Sequence, residues 1–102
     1  MKLRVSDVAI ERYRSWAEED GTRKDRPTKQ IKHIVVNGVR RSSEFQELET
    51  ILESGGRPPH QNMVADFYDG DLYFGRFTVI LGRIKPNGKA YRVITLYPSN
   101  FF

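Results

Sequence analysis

Near the N-terminus, apolar positions recur with a helical period. Ala9, Tyr13, Trp16 and Ala17 stand at i, i+4, i+7 and i+8, which places them on one helical face. Arg12, Arg14, Glu18 and Glu19 fall elsewhere. The pattern predicts a helix from about Ser6 to Glu19. Ser6 serves as N-cap, Asp7 meets the positive end of the helix dipole, and Asp20-Gly21 ends the run. Thr22 to Gln30 reads as a polar, basic loop broken by Pro27. Ile31 to Val36 is rich in β-branched residues and predicts a strand ended by an Asn37-Gly38 turn. Ser43 and Gln46 have the spacing of a capping box, so a second helix is expected to about Glu53, burying Phe45, Leu48, Ile51 and Leu52. Gly55-Gly56 closes it, and Arg57-Pro58-Pro59-His60 reads as an extended linker.

The remainder alternates with the period of a sheet. Met63 to Tyr68, Leu72 to Ile84 and Lys89 to Tyr97 predict three strands, joined at Asp69-Gly70 and Pro86-Asn87-Gly88 and stopped by Pro98. The expected fold class is α+β: two helices packed on an antiparallel sheet of about four strands, with a C-terminal three-stranded meander, in one domain of 102 residues. The last hairpin admits two registers. A two-residue Asn87-Gly88 turn pairs Leu81 with Ile94 and Val79 with Leu96, leaving Arg76, Thr78, Thr95 and Tyr97 on the other face. A three-residue loop with Gly88 as a bulge instead pairs Val79 with Thr95 and Phe77 with Tyr97. The first segregates apolar from polar positions more cleanly, and a one-residue slip would exchange the faces.

Charge changes the picture because it is unevenly placed. The 17 basic and 13 acidic side chains give a formal charge of +4. Five bases stand against one acid between Thr22 and Lys32, and five bases against none after Asp71. Ser42 to Glu53 carries four glutamates and no base. An excess of this size permits nucleic-acid binding without requiring it. There is no cysteine, which excludes disulfides and thiolate zinc sites. No run reaches the roughly 18 apolar residues of a membrane span, and Met1 to Arg4 leads into no apolar leader core. The expectation is a cytoplasmic protein without a membrane partner.

Candidate chemistry is sparse. Gly55-Gly56 lacks the lysine and hydroxyl of a phosphate loop, and only two histidines exist, so no metal and no cofactor are expected. Asp66, Asp69 and Asp71 cluster around a turn and read as a solvated hairpin tip rather than a Mg²⁺ site. By alternation His33 shares a face with Ile31 and Val35, as a partly buried structural imidazole. His60, after two prolines, is the better general-base candidate, with an ordinary surface histidine as the competing reading. Metal-free RNA cleavage needs a base for the 2′-OH, an acid for the leaving oxygen and cationic support for the phosphate. His60, Tyr97 and Arg76 with Thr95 could fill those roles, and a plain solvent face of β-formers is the rival. Arg12, Arg23, Lys24, Arg26, Arg83 and Arg92 are the candidate nucleic-acid contacts. Tyr68, Tyr73, Phe74, Tyr91, Tyr97, Phe101 and Phe102 interleave with bases, as in stacking platforms and as in ordinary sheet cores. Phe101-Phe102 either folds onto the core or meets a partner.

Val5-Ser6-Asp7-Val8-Ala9-Ile10-Glu11-Arg12 and Tyr91-Arg92-Val93-Ile94-Thr95-Leu96-Tyr97-Pro98 together resemble the opening helix and last strand of the barnase/EndoU/colicin/RelE class of small toxin-like domains, in particular its DUF4258-like members. Those open on Ser-x-His-Ala-x-x-Arg and close on a Val/Ile-Thr-x-Tyr-Pro-like run. The resemblance covers about half the chain and implies metal-independent ribonuclease activity. It departs at Val8, where the class carries histidine, while Arg12 remains. The implied function is an RNA-directed toxin-like domain, either a ribonuclease or a degenerate RNA-binding relative. The partner is then RNA, with an antitoxin or immunity protein. The alternative is a small non-enzymatic inhibitor of phage or plasmid type that binds a host or defence complex. Val8, the acidic Ser42 to Glu53 segment and Phe101-Phe102 favour that reading. A nucleic-acid-binding module without catalysis is the third.

Overall fold

Half-buried runs of β-formers gain most by pairing edge to edge and burying one face under helices. The computed structural model describes residues 2–19, 26–55, 60–85, 88 and 90–99, and in residues 18, 19, 60 and 61 the backbone alone. Its elements are β1 (Lys2–Val5), α1 (Asp7–Glu19), α2 (Thr28–Arg41), α3 (Ser43–Glu53), β2 (His60–Asp69), β3 (Leu72–Arg83) and β4 (Ala90–Pro98). The sheet order is β1-β4-β3-β2, antiparallel except that β1 lies parallel to β4. The fold is α+β, with three helices and a mixed four-stranded sheet. No helix among the described residues is long and apolar enough to cross a membrane.

One core joins the layers. Ala9, Tyr13 and Ala17 of α1, Ile31, Val35 and Val39 of α2, and Phe45 and Leu48 of α3 meet Phe67, Val79, Leu81, Val93 and Leu96 of the sheet. Ser6 caps α1 as expected: its hydroxyl accepts from the Ala9 N–H at 3.1 Å and donates to the Ile94 carbonyl at 2.7 Å. The cap therefore ties the helix start to β4 as well as satisfying an orphan donor.

The expected strand at Ile31 to Val36 is instead the middle of α2. Ile31, Ile34, Val35, Gly38 and Val39 are buried, which is helical spacing. The β-branched run fits both periods, and burial against β2 and β1 outweighs local propensity. Asn37-Gly38 is not a turn. A Cβ at Gly38 would lie against the Phe67 ring and 2.9 Å from the Asp66 carbonyl, so glycine lets α2 approach β2. His33 accordingly sits exposed on α2 rather than half-buried on a strand. The fourth strand is β1, whose short Lys2–Val5 segment pairs with β4 across almost the whole chain.

Two smaller expectations are also corrected. α3 is capped at Ser42, not by a Ser43–Gln46 box, and the Ser42 side chain makes no cap hydrogen bond. The Ser42 hydroxyl donates instead to the Val64 carbonyl at 2.8 Å, and the Val64 N–H donates to the Glu44 carboxylate at 3.3 Å. Together they cover part of the outer edge of β2, which would otherwise be open to strand pairing. Ile51 is exposed, not buried. Gly55, with φ 89°, follows the helix end as expected. Asp20-Gly21, Gly56 to Pro59, Pro86-Asn87 and Phe101-Phe102 lie outside the described residues.

The β3–β4 hairpin contains both registers that its turn allows. Near the turn Arg83 pairs with Tyr91 and Leu81 with Val93; beyond it Ile80 pairs with Thr95, Val79 with Leu96 and Thr78 with Tyr97. Ile94 is the extra residue between them, a bulge that shifts the ladder by one. Leu81 therefore meets Val93, not Ile94, while Val79 keeps Leu96.

Candidate nucleic-acid interface

Strand alternation sends Phe77, Val79 and Leu81 to the helices and Arg76, Thr78 and Ile80 to the other side. The ladder carries that division across the sheet: Val64, Thr78 and Tyr97 form one cross-strand row on the open side. Among the described residues, the buried faces of all three helices pack on the opposite side.

At the β2–β3 end a second bulge shapes this face. Phe67 pairs with Gly75 and Tyr68 with Tyr73, leaving Phe74 as the extra residue. Phe74 turns to the helix side and stacks on Tyr13 at 4.7 Å and on Phe77 at 5.3 Å. Gly75, at φ 150°, takes the backbone conformation that this requires. Tyr73 thereby reaches the open side beside Tyr68, ring centroids 5.2 Å apart. Its hydroxyl donates to Asp66 Oδ1 at 2.8 Å, and Arg76 Nε donates to the same oxygen at 3.1 Å. The Arg76 bond holds the Asp66 carboxyl below its ordinary value; desolvation opposes this and the Tyr73 bond adds to it. Desolvation first, then the bond to Asp66, raises Tyr73. Asp66 is thus a firm anion, and it compensates Arg76.

The other end of the face differs. The parallel β1–β4 register sets Arg4 directly beside Arg92, with Lys2 two residues along on the same side. All three are exposed, and neither arginine forms an ion pair with another described residue. Adjacent like charges on paired strands repel. Folding holds them together nonetheless, which gives this corner a concentrated positive potential.

The four catalytic candidates do not converge on one point. His60 lies opposite Gly82, the register position that also faces Arg92, and its side chain is outside the described residues. Thr95 is opposite Ile80, Tyr97 opposite Thr78, and Arg76 opposite Asp66. From the Gly82 level to the Arg76 level is six residues of β3, about 20 Å at ~3.3 Å per residue. Thr95, Tyr97 and Arg76 share a face as a row, and the cation level with His60 is Arg92.

The binding candidates divide similarly. Arg92 is on the open face, and Arg12 is on the solvent side of α1. Arg26 is engaged with Asp69, Nη2 to Oδ2 at 2.8 Å, with Gln30 donating to the other oxygen at 3.3 Å. That bridge pins the start of α2 to the β2–β3 tip. Arg83 lies over the Tyr91 ring at 5.8 Å on the helix side. Arg23 and Lys24 lie outside the described residues. Asp66 and Asp69 point to opposite faces, and no group of His, Asp or Glu among the described residues is arranged to hold a metal ion. Sequence reasoning missed Lys2 and Arg4. The alternation Lys2-Leu3-Arg4-Val5 was the available signal for both, whereas Tyr73, already in view as a stacking ring, reaches the face only through the bulge.

No protein-family model matches this chain, and no curated protein and no solved structure matches it.

Proposed function

We propose that this chain is an RNA-binding, toxin-like domain, a degenerate relative of the barnase/EndoU/colicin/RelE class that lays single-stranded RNA along the open face of its sheet. The observation that carries the reading is the charge of that face. Lys2, Arg4 and Arg92 form no ion pair with a described carboxylate, and the acid Asp66 is neutralised by Arg76. Phosphates would be drawn to the Arg4–Arg92 corner, while Tyr68 and Tyr73, 41% and 51% exposed, offer rings for stacking at the other end. Thr78, Thr95 and Tyr97 supply hydroxyls between them.

Binding without cleavage is favoured by spacing. General acid and base must stand within about 3 Å of the protons they move, and the candidate groups are strung along a line instead. The class histidine is replaced by Val8, which is 56% exposed on α1. Fluorescence anisotropy with a short single-stranded RNA tests the reading. Affinity should fall between about 50 and 200 mM salt, with a slope of roughly −0.7 per phosphate contacted. The RNA should remain intact in EDTA. A flat salt dependence overturns RNA binding. Cleavage in EDTA that Arg76→Ala abolishes would make the chain a ribonuclease.

A second reading has its own observation. Leu72 and Tyr73, each about half exposed, make an apolar hairpin tip suited to a protein contact. A phage- or plasmid-type inhibitor docking there would lose its target with Leu72→Asp and show no salt-dependent RNA binding.

A further inference from the structure

We propose that the cleft beside β1 holds a terminal phosphate monoester of the bound strand; the inference rests on the RNA-binding reading and names which part of the strand this corner takes. The cleft, about 660 Å³, follows the outer edge of the sheet through Leu3, Arg4 and Val5. Arg92 reaches it from the open face, Lys32 from α2, and Asp7 from the start of α1. Three cations against one carboxylate leave two positive charges in its lining.

That balance suits a monoester. An internal phosphodiester carries one negative charge, whereas a phosphate monoester carries about −1.5 to −2 at neutral pH. Placement points the same way. β1 is the last strand on its side of the sheet. A strand running across the open face past β4 therefore meets the cleft where the sheet ends. Lys32 and Val36 close its helix side. Such a corner admits a chain end more readily than a continuing backbone. Arg4 and Arg92 present planar donor forks, which match phosphate oxygens, and Lys32 adds a point charge from across the cleft. The Ser6 hydroxyl is already committed to Ala9 and Ile94, so the recognition falls to the cations.

The test compares one RNA hexamer in 5′-phosphorylated, 3′-phosphorylated and unphosphorylated forms, with adenosine monophosphate and adenosine as small probes. One phosphorylated form should bind about tenfold tighter than the unphosphorylated strand, the scale of one good charge-assisted contact. Lys32→Ala should erase that preference while the unphosphorylated strand binds as before. Adenosine monophosphate, unlike adenosine, should shift the backbone amide signals of Arg4, Lys32 and Arg92. Equal binding of all three strands, with no response to the monophosphate, overturns the cleft assignment and leaves RNA binding standing. A monophosphate response at those residues without binding of any RNA upholds the cleft and overturns the RNA reading. Silence of both overturns both.

Discussion

The two ends of the open sheet face hold their arginines in opposite circumstances. At the β2–β3 tip, Arg76 is bonded to Asp66, Asp66 also accepts from Tyr73, and aromatic rings flank the group. At the β1 corner, Arg4 and Arg92 stand side by side with no described carboxylate bonded to either. Local charge count alone does not separate these positions, since each places arginine on a solvent-facing strand. The difference lies in what the ladder sets opposite: an aspartate across from Arg76, and a second arginine across from Arg4. A guanidinium already satisfied within the fold gains little from a phosphate. One held against its own kind gains most.

The comparison can be broken from either end. The largest effect is expected at the corner. Charge reversal by Arg92→Glu should weaken RNA binding by roughly two orders of magnitude at low salt, through lost phosphate contact and added repulsion. Next, Gly38→Ala should destabilise the fold by about 1–3 kcal/mol, because the methyl meets the Phe67 ring and the Asp66 carbonyl where α2 crosses β2. Thermal melting reads that loss, and the amide spectrum of the β1 corner should change little. Asp69→Asn should cost a similar or smaller amount, about 1–2 kcal/mol, by weakening the half-buried bridge from Arg26. Asp66→Asn sharpens the contrast from the other side. It frees Arg76, so RNA affinity should rise about threefold and the salt slope steepen by roughly 0.7.

A further effect is confined to alkaline pH. Burial above all, with the nearby Asp69 charge, pushes the Tyr13 hydroxyl up to about 12, while Arg26 opposes the shift. A raised tyrosine contributes stability that is fully present below its unfolded value near 10 and is lost as pH climbs toward about 12. Melting temperature should therefore fall between those limits, and Tyr13→Phe should flatten that part of the profile.

Much of the architecture was legible from the chain, and the errors have identifiable physical causes. The α1 face, the Ser6 cap, the Asp69-Gly70 turn and the three-stranded meander rest on local signals that tertiary packing reinforced. Ile31 to Val36 misled because β-branched residues satisfy a strand pattern over six positions, and only the wider spacing to Val39 reveals the helix. β1 is four residues long and its partner lies at the far end of the chain, so its brief Lys2-Leu3-Arg4-Val5 alternation is the one local signal it offers. The hairpin register could not be chosen from the turn because the bulge at Ile94 uses both. The site suffered from the same gaps. Arg92 was in view, but its neighbour Arg4 required β1, and the engagement of Arg76 by Asp66 required the β2–β3 register.

The most direct measurement is the salt dependence of RNA affinity in two double variants. Arg4→Ala/Arg92→Ala removes the uncompensated corner. Asp66→Asn/Arg76→Gln removes the paired tip at constant net charge. The first should lower the slope by about 1.4 and the second should leave it as in the parent protein. An unchanged slope in the corner variant, with a reduced slope in the tip variant, would contradict the account.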